Sequence, residues 1–574
     1  MHAFAILYRS ISRRRRRQLW LALALMLVGA FAELATIGAT LPFLALLTRQ
    51  GRGSASGAAA RWLAWLGLDD VLSASLLLIG AATAAAIVRL GLLWVGQRLV
   101  MGLGHDIAVA IFSRMLRQPY SEYVRRNSSE VLASMEKVRD VASSILQPAM
   151  QGISASFIAL FIAIFLFAIS PLAAALSALS IGLLYTLISR LTSTRLRRNS
   201  RILAGTATER TKMIQEGLGG IRDIILDHSQ PLFEESFRDI DRRCRRAIAV
   251  NGFISQAPRF AIEAAGIVTI ALVALAMSLQ PGGIMRAIPV LGALALGAQR
   301  LLPLLQQAYN GWSTGIGNLQ SLTDIAALLQ APALPDRPSD GRKLAFRDSI
   351  TFRNVSFRYG SGAWALEEID LRIPRGSRLG IAGTTGSGKS TLLDILMGLL
   401  EPSVGEIAID GVALDAATRP LWQAGIAHVP QAIYLIDDSI AANIAFGAPR
   451  DRIDLDRVRA CAGAAHVAQF VEGLPDGYST PVGERGIRLS GGQRQRIGIA
   501  RALYKDASVL ILDEATSALD DATEAAVIDS IMAMGPTITI VMIAHRRTTL
   551  EGCDRIIRLE GGRLVETGAM AAAG

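Results

Sequence analysis

Six apolar stretches dominate the first 330 residues of this 574-residue chain, at about 19–47, 73–100, 142–169, 172–191, 254–279 and 287–309. Each supplies the roughly 20 apolar residues that an α-helix needs to cross a bilayer. Backbone polar groups surrounded by lipid must be paired within their own segment, so this region is predicted to be a helical membrane bundle. Six spans return the chain to the side on which it started. The block Arg13 to Arg17 stands ahead of the first stretch, and an excess of arginine holds such an end in the cytoplasm. The apolar run after it is too long for a signal h-region and no small-residue cleavage site stands out, so the first span is expected to be retained. Residues 1–12 read as a short amphipathic stretch at headgroup level.

The connections fit that topology. Ser170-Pro171 and Gln280 to Gly283 are brief, as outer turns are, whereas 114–139 and 195–246 are long, arginine-rich and still helical in period. Spans two to five are therefore expected to continue beyond the membrane. Trp62 and Trp65 in the first outer loop suggest an interfacial helix at 61–66. The chain carries 59 Lys+Arg against 48 Asp+Glu, a net charge of +11. Because the basic clusters flank apolar runs, that excess is read as membrane-surface charge and not as a nucleic-acid footprint. With 51% hydrophobic and 19% charged residues, disorder and small secreted scaffolds are excluded. Cys244, Cys461 and Cys553 lack metal-ligand spacing and are expected to be reduced thiols.

Residues 331–345 contain three prolines and read as a linker between a membrane domain, 1–330, and an α/β domain, 346–574. That second domain carries the chemistry. Gly383-Thr384-Thr385-Gly386-Ser387-Gly388-Lys389-Ser390-Thr391 follows a predicted strand at 378–382 and opens an apolar helix. This is the setting of a phosphate-binding loop: glycines let backbone N–H groups face phosphates at a helix N-terminus. Lys389 would reach the β- and γ-phosphates and Ser390 would ligate Mg²⁺. Val509 to Leu512 reads as a buried strand ending in Asp513 and Glu514. Asp513 is placed to hold Mg²⁺, and Glu514 to act as general base on the attacking water. Between these lies Ser490-Gly491-Gly492-Gln493, a second anion site at a helix start. One γ-phosphate does not easily meet two helix N-termini in one domain, so a second chain is expected to supply the other.

In conjunction and order these motifs resemble the ATP-binding cassette transporters of exporter type, with membrane and nucleotide domains fused. The resemblance covers essentially the whole chain and implies ATP as the nucleotide and a homodimer as the working unit. It assigns adenine stacking to Tyr359, a place in the Mg²⁺ site to Gln431, a dimer contact to Ser517 to Asp520, and a γ-phosphate switch to His545. It also makes 118–124 and 226–239 candidate coupling helices and Val482 to Gly486 the loop that meets them. An exporter in a bacterial inner membrane, with its nucleotide domain in the cytoplasm, is implied.

For the cargo, the charged residues within spans are the guide, since such charges are costly and mark function by default. They are Glu33, Arg89, Arg259, Glu263 and Arg300. Arg259 and Glu263 are spaced to pair on one helix face. If Arg89 and Arg300 line the path, the cavity is cationic and suits a phosphate headgroup. Short stretches at 32–43, 257–263, 299–303 and 427–435 are similar to PglK-type flippases. That finer resemblance implies a polyprenyl-pyrophosphate-linked oligosaccharide, with membrane lipids as surroundings. A multidrug, peptide or lipid A exporter on the same engine is the alternative, and an ATP-gated channel or membrane regulator is the alternative of another class.

Overall fold

The computed structural model describes residues 2–48, 71–125, 128–169, 171–278, 283–335, 342–516, 518–533, 537–544 and 550–568. The expected interfacial helix at 61–66, Ser517 and His545 lie outside these. The chain divides into two units, Met1–Gln118 with Glu122–Leu334, and Pro119–Ser121 with Pro335–Gly574.

In the first unit six long helices follow one another among the described residues. They are Arg13–Thr48, Val71–Leu116, Ser128–Val141 continuing into Gln147–Ile169, Pro171–Gly219, Gln230–Ser278 and Gly283–Gly317. Segments Arg13–Thr40, Val71–Leu116 and Ser129–Ala168 carry 18-residue windows of mean hydropathy 2.0, 2.3 and 2.1, long and apolar enough to cross a membrane. The two helices of 49 residues, Pro171–Gly219 and Gln230–Ser278, reach about 74 Å at 1.5 Å per residue. A hydrocarbon core is only about 30 Å thick, so these helices run far beyond it. Short helices stand at the far turns, Tyr120–Arg125 and Ile221–Leu226. Of the two candidate coupling stretches, 118–124 overlaps the first of these helices and 226–239 meets the second only at Leu226. Gly219 and Gly220 end the long helix, and His228 at φ 49° turns the chain into the next one.

What brings the helices together is small residues. A Cβ on Gly311 would stand 2.6 Å from the Pro148 carbonyl oxygen, and one on Gly152 3.3 Å from that of Gln307. Helices Gln147–Ile169 and Gly283–Gly317 therefore touch backbone to backbone, as spans do where lipid removes the hydrophobic drive to associate. One step before this contact, the third long helix passes through a π-helical turn at Ala142–Leu146. Such turns re-aim the side chains that follow, here Gln147 and Gln151.

The second unit is α/β. An antiparallel sheet has the order β2 (Trp364–Pro374), β1 (Ser349–Arg358), β4 (Val404–Ile409), β5 (Val412–Ala413). A six-stranded sheet has the order β10 (Arg563–Gly568), β9 (Arg555–Glu560), β3 (Arg378–Gly383), β8 (Thr539–Ile543), β7 (Val509–Asp513), β6 (Ile426–Val429). All of its pairings are parallel except the edge pair β10–β9. Side chains alternate between faces along a strand, and this divides two cores. Val509, Ile511, Val541 and Ile543 join one with Phe352, Leu393 and Trp422. Leu510, Leu512, Ile540 and Met542 join the other with Val458 and Ile497. Strands buried on both faces read as unbroken apolar runs, which is why 509–512 was legible as a strand. The three cysteines form no disulfide.

Replacing Gly311 by Val forces the two helix backbones apart. An overpacked core contact costs about 1–3 kcal/mol, so Gly311→Val is expected to lower the thermal midpoint of the detergent-solubilised protein by several degrees, whereas the same change at Gly315, which has open space around it, is expected to leave it within error.

Candidate functional site

In the six-stranded sheet, Ile381 on β3 and Asp513 on β7 both pair with Ile543, the last residue of the intervening β8. Ile381, Ile543 and Asp513 thus stand level across three strands whose carboxyl ends share one edge, the usual place for a ligand in a parallel sheet. β3 leads there into the glycine-rich loop. Gly386 and Gly388 take φ +81° and +101°, and a Cβ on Gly388 would strike the Ala365 carbonyl oxygen, so no other residue serves at that helix cap. Lys389 Nζ donates to the carbonyls of Gly383 and Thr384, each at 2.9 Å, which bends the loop around its own ammonium. Ser387 Oγ is buried with no hydrogen-bond partner among the described residues. Tyr359 stands beside the loop, its hydroxyl 3.3 Å from Thr391 Oγ1 and its ring edge-on to Phe357.

Across the edge, Glu514 Oε2 accepts a 2.6 Å hydrogen bond from Gln431 Nε2. Glu514 takes φ 50°, a conformation that a non-glycine residue holds only when its surroundings enforce it. Here the Glu514 N–H donates to Ile543 O at 3.0 Å, and Gln495 Nε2 donates to Glu514 O at 3.4 Å. Gln495, almost fully buried, also accepts from the Ala518 N–H at 3.0 Å. The sequence reading missed Gln495. Its signal was a second glutamine two residues after Gln493 on a helix face that is otherwise apolar.

Asp394 was also missed. It lies on the helix Lys389–Leu396, and its carboxyl is pushed up to about 6, first by burial and then by the charge of Asp513. Asp513 is itself raised by burial and by Glu514, with Lys389 pulling the other way. Three carboxyls therefore crowd one half-buried edge. A divalent cation relieves such crowding, so the residues fit Mg²⁺, which Ser390, Asp513 and Gln431 would hold. The glycine cradle, Lys389 and the unpartnered Ser387 hydroxyl fit the phosphates of ATP.

Ser490 stands elsewhere in the unit. It caps the helix Gly491–Tyr504 in a reciprocal box with Gln493, its Oγ accepting from Gln493 N at 3.2 Å and its N–H donating to Gln493 Oε1 at 2.8 Å. Gly491 and Gly492 border Ala518. Asp520 caps the helix Asp521–Met532, accepting from Thr523 N at 3.3 Å and Thr523 Oγ1 at 2.9 Å.

In the membrane unit, Glu33, Arg89 and Arg300 line one cavity of about 790 Å³. The Glu33 carboxylate forms an ion pair with Arg89 through Oε1 and stands 3.7 Å from Arg300 Nη1 through Oε2. The cavity is thus not simply cationic, because a buried acid bridges its two bases. Arg259 and Glu263 are not among the residues that line it; they pair with each other at 2.8 Å on one helix.

Comparison with known proteins gives the family. The description "ABC transporter" matches residues 366–517, and "ABC transporter transmembrane region" matches residues 19–282. The ATP-dependent lipid A-core flippase of Burkholderia pseudomallei is 32% identical over 510 residues, covering 86% of this chain and 82% of that one. The protein of the same name from Ralstonia nicotianae is 33% identical over 505 residues, covering 86% and 83%. The chain belongs to the ABC transporter family.

The transporter is a half-transporter of exporter type, one transmembrane region fused to one nucleotide-binding domain, and it couples ATP hydrolysis to translocation. A solved bacterial Atm1-family ABC exporter with ATP bound has a similar fold, with a TM-score of 0.76 and 25% identity over 96% of this chain and 95% of that one. These relatives do not single out the PglK-type flippases.

Two outcomes follow for the transporter. Glu514→Gln keeps the hydrogen-bonding shape but removes the carboxylate, and is expected to lower ATP turnover about a hundredfold or more while a fluorescent ATP analogue still binds. For Asp394, the folded protein keeps a proton that the unfolded chain gives up between about pH 4 and pH 6. The stability tied to that proton is present below this range and lost as pH rises through about 6. Without Mg²⁺, Asp394→Asn is therefore expected to melt higher than wild type at pH 7.5, with the difference shrinking toward pH 5. A difference independent of pH contradicts the assignment.

Proposed function

We propose that two copies of this chain form an ATP-driven flippase that moves a phosphorylated amphipathic glycolipid from the inner to the outer leaflet of a bacterial inner membrane. Two ATP molecules with Mg²⁺ lie between the copies, each held by the Lys389 loop of one and by Ser490 to Gln493 of the other. Asp520 lies at the contact between copies. Glu514 withdraws the proton of the attacking water, His545 senses the γ-phosphate, and Tyr359 stacks on adenine. Dimer closure reaches the spans through the short helices at 120–125 and 221–226. ATP shifts the transport equilibrium because it binds the closed state better.

The observation that carries the cargo class is the pairing of Arg89 and Arg300, from two different helices, about one carboxylate in a cavity whose lining is otherwise uncharged among the described residues. Guanidinium groups match phosphate through paired hydrogen bonds, and the surrounding apolar wall suits acyl chains. Lipid A-core, named in the relatives, is the first candidate. A polyprenyl-pyrophosphate-linked oligosaccharide is the second, supported by the short matches at 32–43 and 299–303 and by the same headgroup chemistry.

In nanodiscs, lipid A is expected to stimulate ATPase activity, and Arg89→Gln or Arg300→Gln is expected to remove most of that stimulation. Stimulation by polyprenyl-pyrophosphate glycans alone moves the cargo to the second candidate. Stimulation only by hydrophobic drugs or peptides overturns the cargo class.

A further inference from the structure

Glu33 is the odd member of the cavity. Two arginines would hold an anion without it, and an acid beside an anionic headgroup is repulsive. Its burial explains its place. The Glu33 side chain is 4% exposed, whereas those of Arg89 and Arg300 are 49% and 48% exposed. All three line the same cavity, the carboxylate buried and the two arginine side chains half-exposed. Each guanidinium carries five N–H donors, so contact with one carboxylate leaves further donors on each. Oε2 makes no hydrogen bond among the described residues, so its link to Arg300 is a charge contact and leaves that side chain room to adjust.

Three separate helices contribute the three residues: Arg13–Thr48, Val71–Leu116 and Gly283–Gly317. Without the acid, two like charges close together within a span repel, and each lowers its cost by turning to a different wet surface. With it, both are drawn to one point and the cluster has a net charge of +1. Among the described residues the rest of the lining adds no charge; its polar members include Gln97, Gln147, Gln151, Gln299 and Gln307. A monoanionic phosphate would neutralise the cluster, and its oxygens can bridge both forks.

We infer that Glu33 is a positioning residue that makes Arg89 and Arg300 into a single phosphate-sized site, so that the transporter selects its lipid by one bridging phosphate. This rests on the cargo class proposed above. The opposite arrangement, in which Glu33 competes with the lipid for the arginines, predicts the opposite sign on removing its charge.

The test measures ATPase stimulation in nanodiscs against the concentration of lipid A and of the same lipid stripped of phosphate. Wild type is compared with Glu33→Gln, Glu33→Asp, Arg89→Gln and the double variant Glu33→Gln/Arg89→Gln. Glu33→Gln is expected to raise the half-stimulating concentration of lipid A about tenfold, by more than it changes the maximal rate. Its preference for the phosphorylated lipid falls accordingly. Glu33→Asp, which keeps the charge, is expected to restore part of the effect. Glu33→Gln is expected to add little once Arg89 is gone, as for residues acting through one another. Tighter lipid A binding by Glu33→Gln overturns the inference in favour of competition. Loss of maximal rate with an unchanged half-stimulating concentration, or full additivity with Arg89→Gln, also overturns it and leaves a structural role. A wild type that does not distinguish the two lipids overturns the cargo class and this inference together.

Discussion

Parallel pairing in the six-stranded sheet is the constraint on which the rest depends. Because β3, β8 and β7 are in register, Ile381, Ile543 and Asp513 stand at one level. The glycine loop, the acid pair and the segment leading to His545 therefore leave the sheet together. Register in a buried sheet is set by which face each side chain must occupy. Val509 and Ile511 belong to one core and Leu510 and Leu512 to the other, so a slip of one residue would exchange the faces and withdraw Asp513 from the edge. The same packing that makes the domain stable aims its chemistry.

The edge is loaded against itself. Asp394, Asp513 and Glu514 bring negative charge into a half-buried place, and partial burial raises the first two. Lys389 spends its hydrogen bonds on its own loop, and Glu514 keeps a left-handed backbone through bonds to Ile543 and Gln495. A protein holds such arrangements where a ligand is to complete them. The membrane unit repeats the theme on a smaller scale, since Glu33 is buried only in company with Arg89 and Arg300.

Much of this was legible from sequence because the signals were local. The apolar runs fixed the long helices, and the glycine loop with its lysine lies within nine consecutive residues. The Arg259–Glu263 pair was legible from its four-residue spacing. What escaped detection depended on distant partners. Asp394 is unremarkable until the sheet brings Asp513 near, more than a hundred residues later. Gln495 gains its role only through Glu514 and Ala518. Arg89 and Arg300 suggested a cationic path because neither spacing nor composition could pair them with Glu33, which comes from another helix. The break at Gly219 and Gly220 between the long helix Pro171–Gly219 and the short helix Ile221–Leu226 is not marked in the arginine-rich, helical pattern of 195–246.

The most direct measurement of the central claim is movement of the lipid itself. In proteoliposomes carrying a headgroup-labelled lipid A, a membrane-impermeant quencher reports which leaflet holds the label. Wild type is predicted to relocate the label only when ATP and Mg²⁺ are present, with Glu514→Gln leaving it in place and the phosphate-free lipid moving far less. Relocation without ATP, or ATP-driven relocation indifferent to the phosphate, would contradict the account.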